Sequence, residues 1–235
     1  AFTPSRVEVL RSHIRDIVNK LLDQVADKPG MDVIADLAEP LPCIVTAEML
    51  GVPIEHHRRL KGWSQDFAEM LGNFQHNPDR VPKILKSTQE MTAYFRDAMR
   101  LDTLRPEGLV KSLMNAEVNG DRLTEEEVIA NSIVTMLGGQ ETTTNLIGSG
   151  VLSLIRNPDQ LALLRSNPSI LPTAIEELLR VETPVVGGGR YATADFEIGG
   201  EQVHAGDSIR VLWAAANVDP DQFTDPTKVD LDRPS

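Results

Sequence analysis

Leu137-Gly138-Gly139-Gln140-Glu141-Thr142-Thr143-Thr144-Asn145 is a poor choice for the middle of a helix, yet the residues on either side of it keep helical spacing. Each Gly costs roughly 1 kcal/mol relative to Ala in that setting, and a run of β-branched Thr adds to the cost. Thr hydroxyls can also bond back to the carbonyl four residues earlier, which bends or opens a helix. Upstream, Asn119-Gly120 reads as a turn, and Thr124 with Glu127 reads as a capping box; downstream, Asn157-Pro158 stops the pattern. A helix is therefore expected over about residues 124–156, roughly 48 Å long at 1.5 Å per residue. Thr135, Gly138, Thr142 and Leu146 share one face, so a bare glycine stands one turn before a hydroxyl with a carboxylate beside it. That is a notch. It suits a ligand, and it equally suits a close helix crossing in which Gly serves packing and Thr satisfies its own backbone.

Outward from this helix the chain is mainly α. Apolar residues from Val7 to Leu22 recur at three- and four-residue steps, predicting an amphipathic helix from Pro4 to about Ala26 with Thr3 as its N-cap. Further helices are expected at about 32–50, ended by Gly51-Val52-Pro53, then at 55–73 and 82–100 around the break Asn77-Pro78-Asp79. A short one follows Pro106, and two more are expected at about 158–166 and 169–181. The character changes after Pro184. Phe196-Glu197-Ile198 and Glu201-Gln202-Val203-His204 flank Gly199-Gly200 as a β-hairpin, and Ser208 to Ala214 reads as another strand. Many helices followed by a small β element give a single mainly α domain over 1–235, helical to 183 and hairpin and loop over 184–235.

Composition removes several functions. The net charge is -12, from 35 acidic residues against 23 Lys and Arg, and no basic run is long enough to follow a phosphate backbone, so nucleic acid is not an expected partner. No apolar run is long enough for a bilayer, and a cytoplasmic location is expected. Cys43 is the single cysteine, which excludes disulfides, CxxC pairs and cysteine-rich zinc sites within the chain. In Leu41-Pro42-Cys43-Ile44-Val45 it reads as a buried, inert thiol, and no metal-ligating set is expected from the protein itself.

Gly138-Gly139-Gln140-Glu141-Thr142 resembles the oxygen-activation motif of the cytochrome P-450 family, Ala/Gly-Gly-x-Asp/Glu-Thr on a long central helix; related bacterial sequences often have His where Gln140 stands. The resemblance implies that Gly138 and Gly139 lie against haem b, that Thr142 hydrogen-bonds dioxygen there, and that Glu141 relays protons. Val134, one turn earlier, would face substrate. Glu177 and Arg180 alone are an ordinary i,i+3 ion pair. In their position after the motif helix they resemble the family's buried Glu-x-x-Arg pair, closed into a triad by Arg233. Gly189-Arg190-Tyr191-Ala192 resembles the stretch whose Arg binds a haem propionate, an assignment that suits a guanidinium fork. Val185 and Val186 resemble residues lining haem and substrate.

What the resemblance implies is a partial cytochrome P450 fold around the long helix, and a monooxygenase inserting one oxygen atom from O2 into an apolar small molecule. Electrons would come from a ferredoxin- or flavodoxin-type partner. The family's cysteine ligand lies downstream of the Arg matched by Arg233, so the chain is expected to be a central fragment, inactive and weak in haem binding alone. A helical ligand-binding protein that has lost haem is the competing reading. Purified residues 1–235 are accordingly expected to give no thiolate-type spectrum in the reduced carbon monoxide complex. A stoichiometric haem complex with thiolate ligation would contradict this.

Overall fold

A computed structural model describes residues 4–73 and 78–234. The expected cap Thr3 and Asn77 of the expected break lie outside them. The chain forms two compact units, Ala1–Thr144 and Asn145–Ser235. The division between them falls inside the long helix.

The first unit contains α1 (Pro4–Asp23), α2 (Pro40–Leu50), α3 (His57–Asn73), α4 (Val81–Arg100), α5 (Leu109–Met114) and the start of α6 (Glu125–Arg156). Helix α4 shows why these segments are helices. Ile84, Ser87, Met91, Phe95 and Ala98, spaced by three or four, are its buried stripe. Met91 and Phe95 enter a core with Leu50, Leu60, Val110 and Met136, each wholly shielded from solvent. Each such side chain contributes roughly 1.5–3 kcal/mol by leaving water.

The helix expected over 32–50 is divided. Ile34–Ala38 form a π-helical turn, closed by the Glu39 amide donating to the Ile34 carbonyl at 3.0 Å, and α2 begins only at Pro40. Pro40 and Pro42 each lack an N–H, so a regular i→i−4 ladder cannot pass through them. The helix expected at 55–73 likewise opens with a short 3-10 turn, Ile54–His56, before α3. Asn119 and Gly120 have φ of 55° and 88°, and the turn they make carries a two-residue hairpin, β1 (Glu117–Val118) with β2 (Asp121–Arg122). The capping box forms as expected: the Thr124 amide donates to Glu127 Oε2 at 2.8 Å, and the Glu127 amide donates to Thr124 Oγ1 at 3.3 Å.

The second unit holds the rest of α6, α7 (Pro158–Ser166) and α8 (Leu171–Val181). Its small core gathers Ala174, Val229 and Leu231, with Leu154, Leu164 and Leu178 against them. The expected hairpin is β4 (Phe196–Ile198) with β5 (Glu201–Val203); His204 lies outside it. Gly199 and Gly200, at φ of 61° and 83°, supply its turn. The strand expected over 208–214 stops at Val211, because α9 (Trp213–Ala216) starts there, and as β6 (Ser208–Val211) it pairs with an unanticipated strand, β3 (Gly188–Tyr191).

One close approach tests the packing of the first unit. Gly108 has an ordinary backbone, φ −68° and ψ 152°, but a Cβ there would stand 2.6 Å from Gly51 Cα and 2.7 Å from the Leu50 carbonyl oxygen. Gly108→Ala is expected to lower stability by ~2–3 kcal/mol in urea unfolding, the cost of overpacking against backbone. Gly30→Ala, with nothing within 4 Å, should stay within about 0.5 kcal/mol. Equal midpoints for the two variants would contradict this packing.

Candidate functional site

The notch in α6 has an open face and a closed face, and the two glycines divide between them. Gly138 is exposed, and a Cβ there would meet nothing within 4 Å. Val134, one turn before it, is 67 % exposed. Thr142, one turn after it, donates its hydroxyl to the Gly138 carbonyl at 3.0 Å. The Oγ1 proton is thereby used within the helix, and the lone pairs of that oxygen remain free to accept.

Gly139 does not share this face. A Cβ there would lie 2.7 Å from Thr46 Oγ1 of α2, so Gly139 is bare because another helix passes close by. On that side the residue faces α2. Thr144 is also turned towards this side and donates to the Ala38 carbonyl at 3.0 Å. Gln140 is only 2 % exposed, and neither atom of its amide finds a partner among the described residues.

Glu141 is half-buried between these contacts. Burial raises its carboxyl above the usual range, and the ammonium of Lys61 pulls the other way. A raised value means that more of the protonated form survives towards neutral pH than for an ordinary glutamate. Lys61 is itself paired with Glu39. Burial, with the Glu141 charge adding to it, pushes the Cys43 thiol up to about 12, and its side chain is 2 % exposed. It stays a thiol and is not available as a thiolate ligand.

In the second unit, Glu177, Arg180 and Arg233 meet. Arg180 donates Nε to Glu177 Oε2 at 2.7 Å and Nη2 to Oε1 at 2.8 Å, and Arg233 Nε adds 3.1 Å to the same Oε1. The remaining donors of Arg180 go to the carbonyls of Asn217, Pro226 and Lys228, so all five of its N–H groups are used. Its guanidinium also lies 4.9 Å from the Phe223 ring centre. Burial pushes the Glu177 carboxyl up, but bonds from Arg180, the Asp230 amide and Arg233 more than offset it, and the net direction is down.

Arg190 is exposed on β3, its Nη1 donating only to the Gly189 carbonyl at 2.8 Å, with the Trp213 ring 5.9 Å from its guanidinium. Val185 and Val186 are 45 % and 63 % exposed. They are apolar side chains left exposed.

Sequence reasoning missed Thr46, Thr144 and the Ala38 carbonyl. Only the run of three threonines hinted at them, and nothing local said which hydroxyl leaves its own helix.

The sequence profile described as Cytochrome P450 matches residues 66–235. Cytochrome P450 CYP107DY1 of Priestia megaterium is 37 % identical over 234 residues, covering 99 % of this chain and 56 % of that protein. The Biotin biosynthesis cytochrome P450 of Bacillus subtilis is 36 % identical over 233 residues, covering 99 % and 59 %. The solved structure of P450BioI in complex with hexadec-9Z-enoic acid ligated Acyl Carrier Protein matches with a TM-score of 0.93 at 36 % identity, covering 99 % of this chain and 60 % of that one. The chain thus spans under two thirds of the length of these relatives.

The geometry around Glu177 yields a pH test. A carboxyl with a depressed folded value contributes stability that is present above its unfolded value and lost as pH falls through the folded one. Stability of the chain in urea unfolding should therefore weaken as pH falls below the ordinary unfolded glutamate value of about 4.3. In Glu177→Gln that part of the acid dependence should be absent. Glu177→Ala should lose ~3–5 kcal/mol at neutral pH, because it strips a buried charge of its partner. Wild-type midpoints for Glu177→Ala would show the pair to be superficial.

Proposed function

The chain belongs to the cytochrome P450 family, and on that premise we propose that it carries the distal, proton-handling side of a haem monooxygenase acting on an apolar small molecule. The observation that carries this reading is the open stripe Val134–Gly138–Thr142, backed by a closed seam at Gly139 and Thr144.

The residues present fit one side of a haem. A flat ring needs backbone without a Cβ, which Gly138 offers with open space above it, and an apolar neighbour, which Val134 offers one turn earlier. Arg190 would hold a propionate through its guanidinium fork. They do not fit the bond to iron, since the single cysteine is shut in as a thiol. When bound, the haem would bind dioxygen and activate it with electrons from the donor, one oxygen atom of the dioxygen being transferred to substrate and the other leaving as water.

The chain's own work in that reaction is to deliver protons and to place substrate. With its hydroxyl proton committed to the Gly138 carbonyl, Thr142 Oγ1 accepts a hydrogen bond from the open side and so fixes a proton-bearing group there. Glu141, whose carboxyl burial raises above the usual range, would pass a proton to the group held beside it. Val134 would exclude water and orient an apolar substrate by contact, and the family resemblance gives Val185 and Val186 of the second unit a substrate-facing role. The triad of Glu177, Arg180 and Arg233 would fix the fold of the second unit and touch neither substrate nor haem. The electron donor would be a ferredoxin- or flavodoxin-type protein. Among the described residues no helix is long and apolar enough to cross a membrane, and a cytoplasmic place suits such donors.

In a full-length, haem-loaded form, Thr142→Ala should keep consuming reductant and oxygen while product per electron pair falls ~10-fold or more, with peroxide making up the difference. Thr142→Ser should recover most of the coupling. Unchanged coupling in Thr142→Ala would leave Thr142 as a packing residue and sink the relay.

A further inference from the structure

The closed face of α6 is held by a bond whose origin lies in α2. The chain runs helically from the π turn through Glu39, at φ −86° and ψ −50°, into α2. In such a run the carbonyl of Ala38 should receive the N–H of residue 42. Residue 42 is proline and has none. Ala38 is fully buried, so water does not reach it, and a buried carbonyl left bare is unfavourable. The hydroxyl of Thr144, 106 residues away, fills the position at 3.0 Å.

A hydroxyl on a carbonyl is directional in a way that an apolar contact is not. Successive helical residues are about 100° apart around the axis, so fixing Thr144 fixes the rotation of the whole segment. Gly139 against Thr46 fixes its depth, five residues earlier. Between these two points α6 carries Glu141, and between the matching points of α2 lies Cys43. The charge of Glu141 is felt at Cys43, and the Lys61 ammonium, paired with Glu39, is the cation that acts on it.

We propose that Thr144 is a positioning residue of the proton relay: seated on the carbonyl that Pro42 leaves without a donor, its hydroxyl locks the rotation of α6 so that Gly138 and Thr142 face outward while Glu141 stays half-buried. The proposal rests on the reading of Thr142 and Glu141 as the relay. Valine in place of Thr144 fills the same space but abandons the carbonyl, and the seam then opens to let water in. Serine keeps the bond.

Cys43 is the single cysteine and reports on the seam without any haem. The experiment is the rate at which iodoacetamide alkylates Cys43 in the full chain of 235 residues under native conditions, with urea unfolding measured on the same variants. Thr144→Val should label at least ~10-fold faster than wild type, by more than its unfolded fraction rises, which marks local opening and not loss of the fold. Thr144→Ser should label within about twofold of wild type. Pro42→Ala restores an N–H at that position, so adding Thr144→Val to it should change labelling little. The proposal is overturned by wild-type labelling in Thr144→Val, by a rise that global unfolding accounts for, by no rescue with serine, or by an equal effect of Thr144→Val in both backgrounds. Because labelling involves no haem, a failure of the relay itself would appear in the coupling of Thr142→Ala and leave these rates untouched.

Discussion

Within seven residues, α6 has to be closed on one side and open on the other, and most of what distinguishes this chain follows from that demand. A helix this long would ordinarily be stabilised by apolar side chains around the interior of its domain. Between residues 138 and 144 it has two glycines, a carboxylate and three threonines instead. The local cost of that composition is offset by specific partners: Thr142 satisfies its own helix, Thr144 satisfies a carbonyl of another, and Gly139 lets α2 approach. A Cβ on Gly138 would meet nothing within 4 Å among the described residues, and it is the residue through which the segment presents bare backbone. The packing notch is one face of this segment, and the face opposite it is open.

The second unit solves a different problem with a charge. Residues 217–234 contain almost no regular structure beyond the start of a turn, so their carbonyls have no ladder to enter. Arg180 reaches three of those carbonyls and Arg233 reaches Thr224, while Glu177 holds both guanidinium groups. The loop is wrapped around a buried ion network in place of a sheet. Such a network adds little net stability over an apolar core, but its members have few other ways to be satisfied, so it specifies one arrangement of the loop.

Much of this was legible because the signals were local. Thr124 three residues before Glu127 marked the start of α6, and Asn157-Pro158 marked its end. Gly199-Gly200 between short alternating runs gave the hairpin. The sequence match of Gly138 to Thr142 with the family motif pointed to the segment in which the open and closed faces of α6 meet. What stayed hidden depends on partners distant in the chain. Gly138 and Gly139 are the same residue type at adjacent positions, and only the passage of Thr46 behind one of them separates their roles. Pro42 reads locally as a helix-start residue; its consequence, a carbonyl in need of a donor, is answered 102 residues later than Pro42 itself by Thr144. Strand β3 was hidden because a run of glycines looks like loop until Ser208–Val211 is seen to pair with it. Asn119-Gly120 did carry the hairpin signal, but strands of two residues are too short to show alternation.

The central claim is that Gly138 alone turns its bare backbone to the haem while its neighbour turns to α2. Carbon monoxide affinity of the reduced, haem-loaded, full-length form with Gly138→Val tests it most directly. The account predicts that haem is retained and that carbon monoxide binds at least ~10-fold more weakly, about 1.4 kcal/mol, because the added side chain enters the open face. Wild-type carbon monoxide affinity with haem retained would mean that the open face of Gly138 looks elsewhere, and would contradict the account.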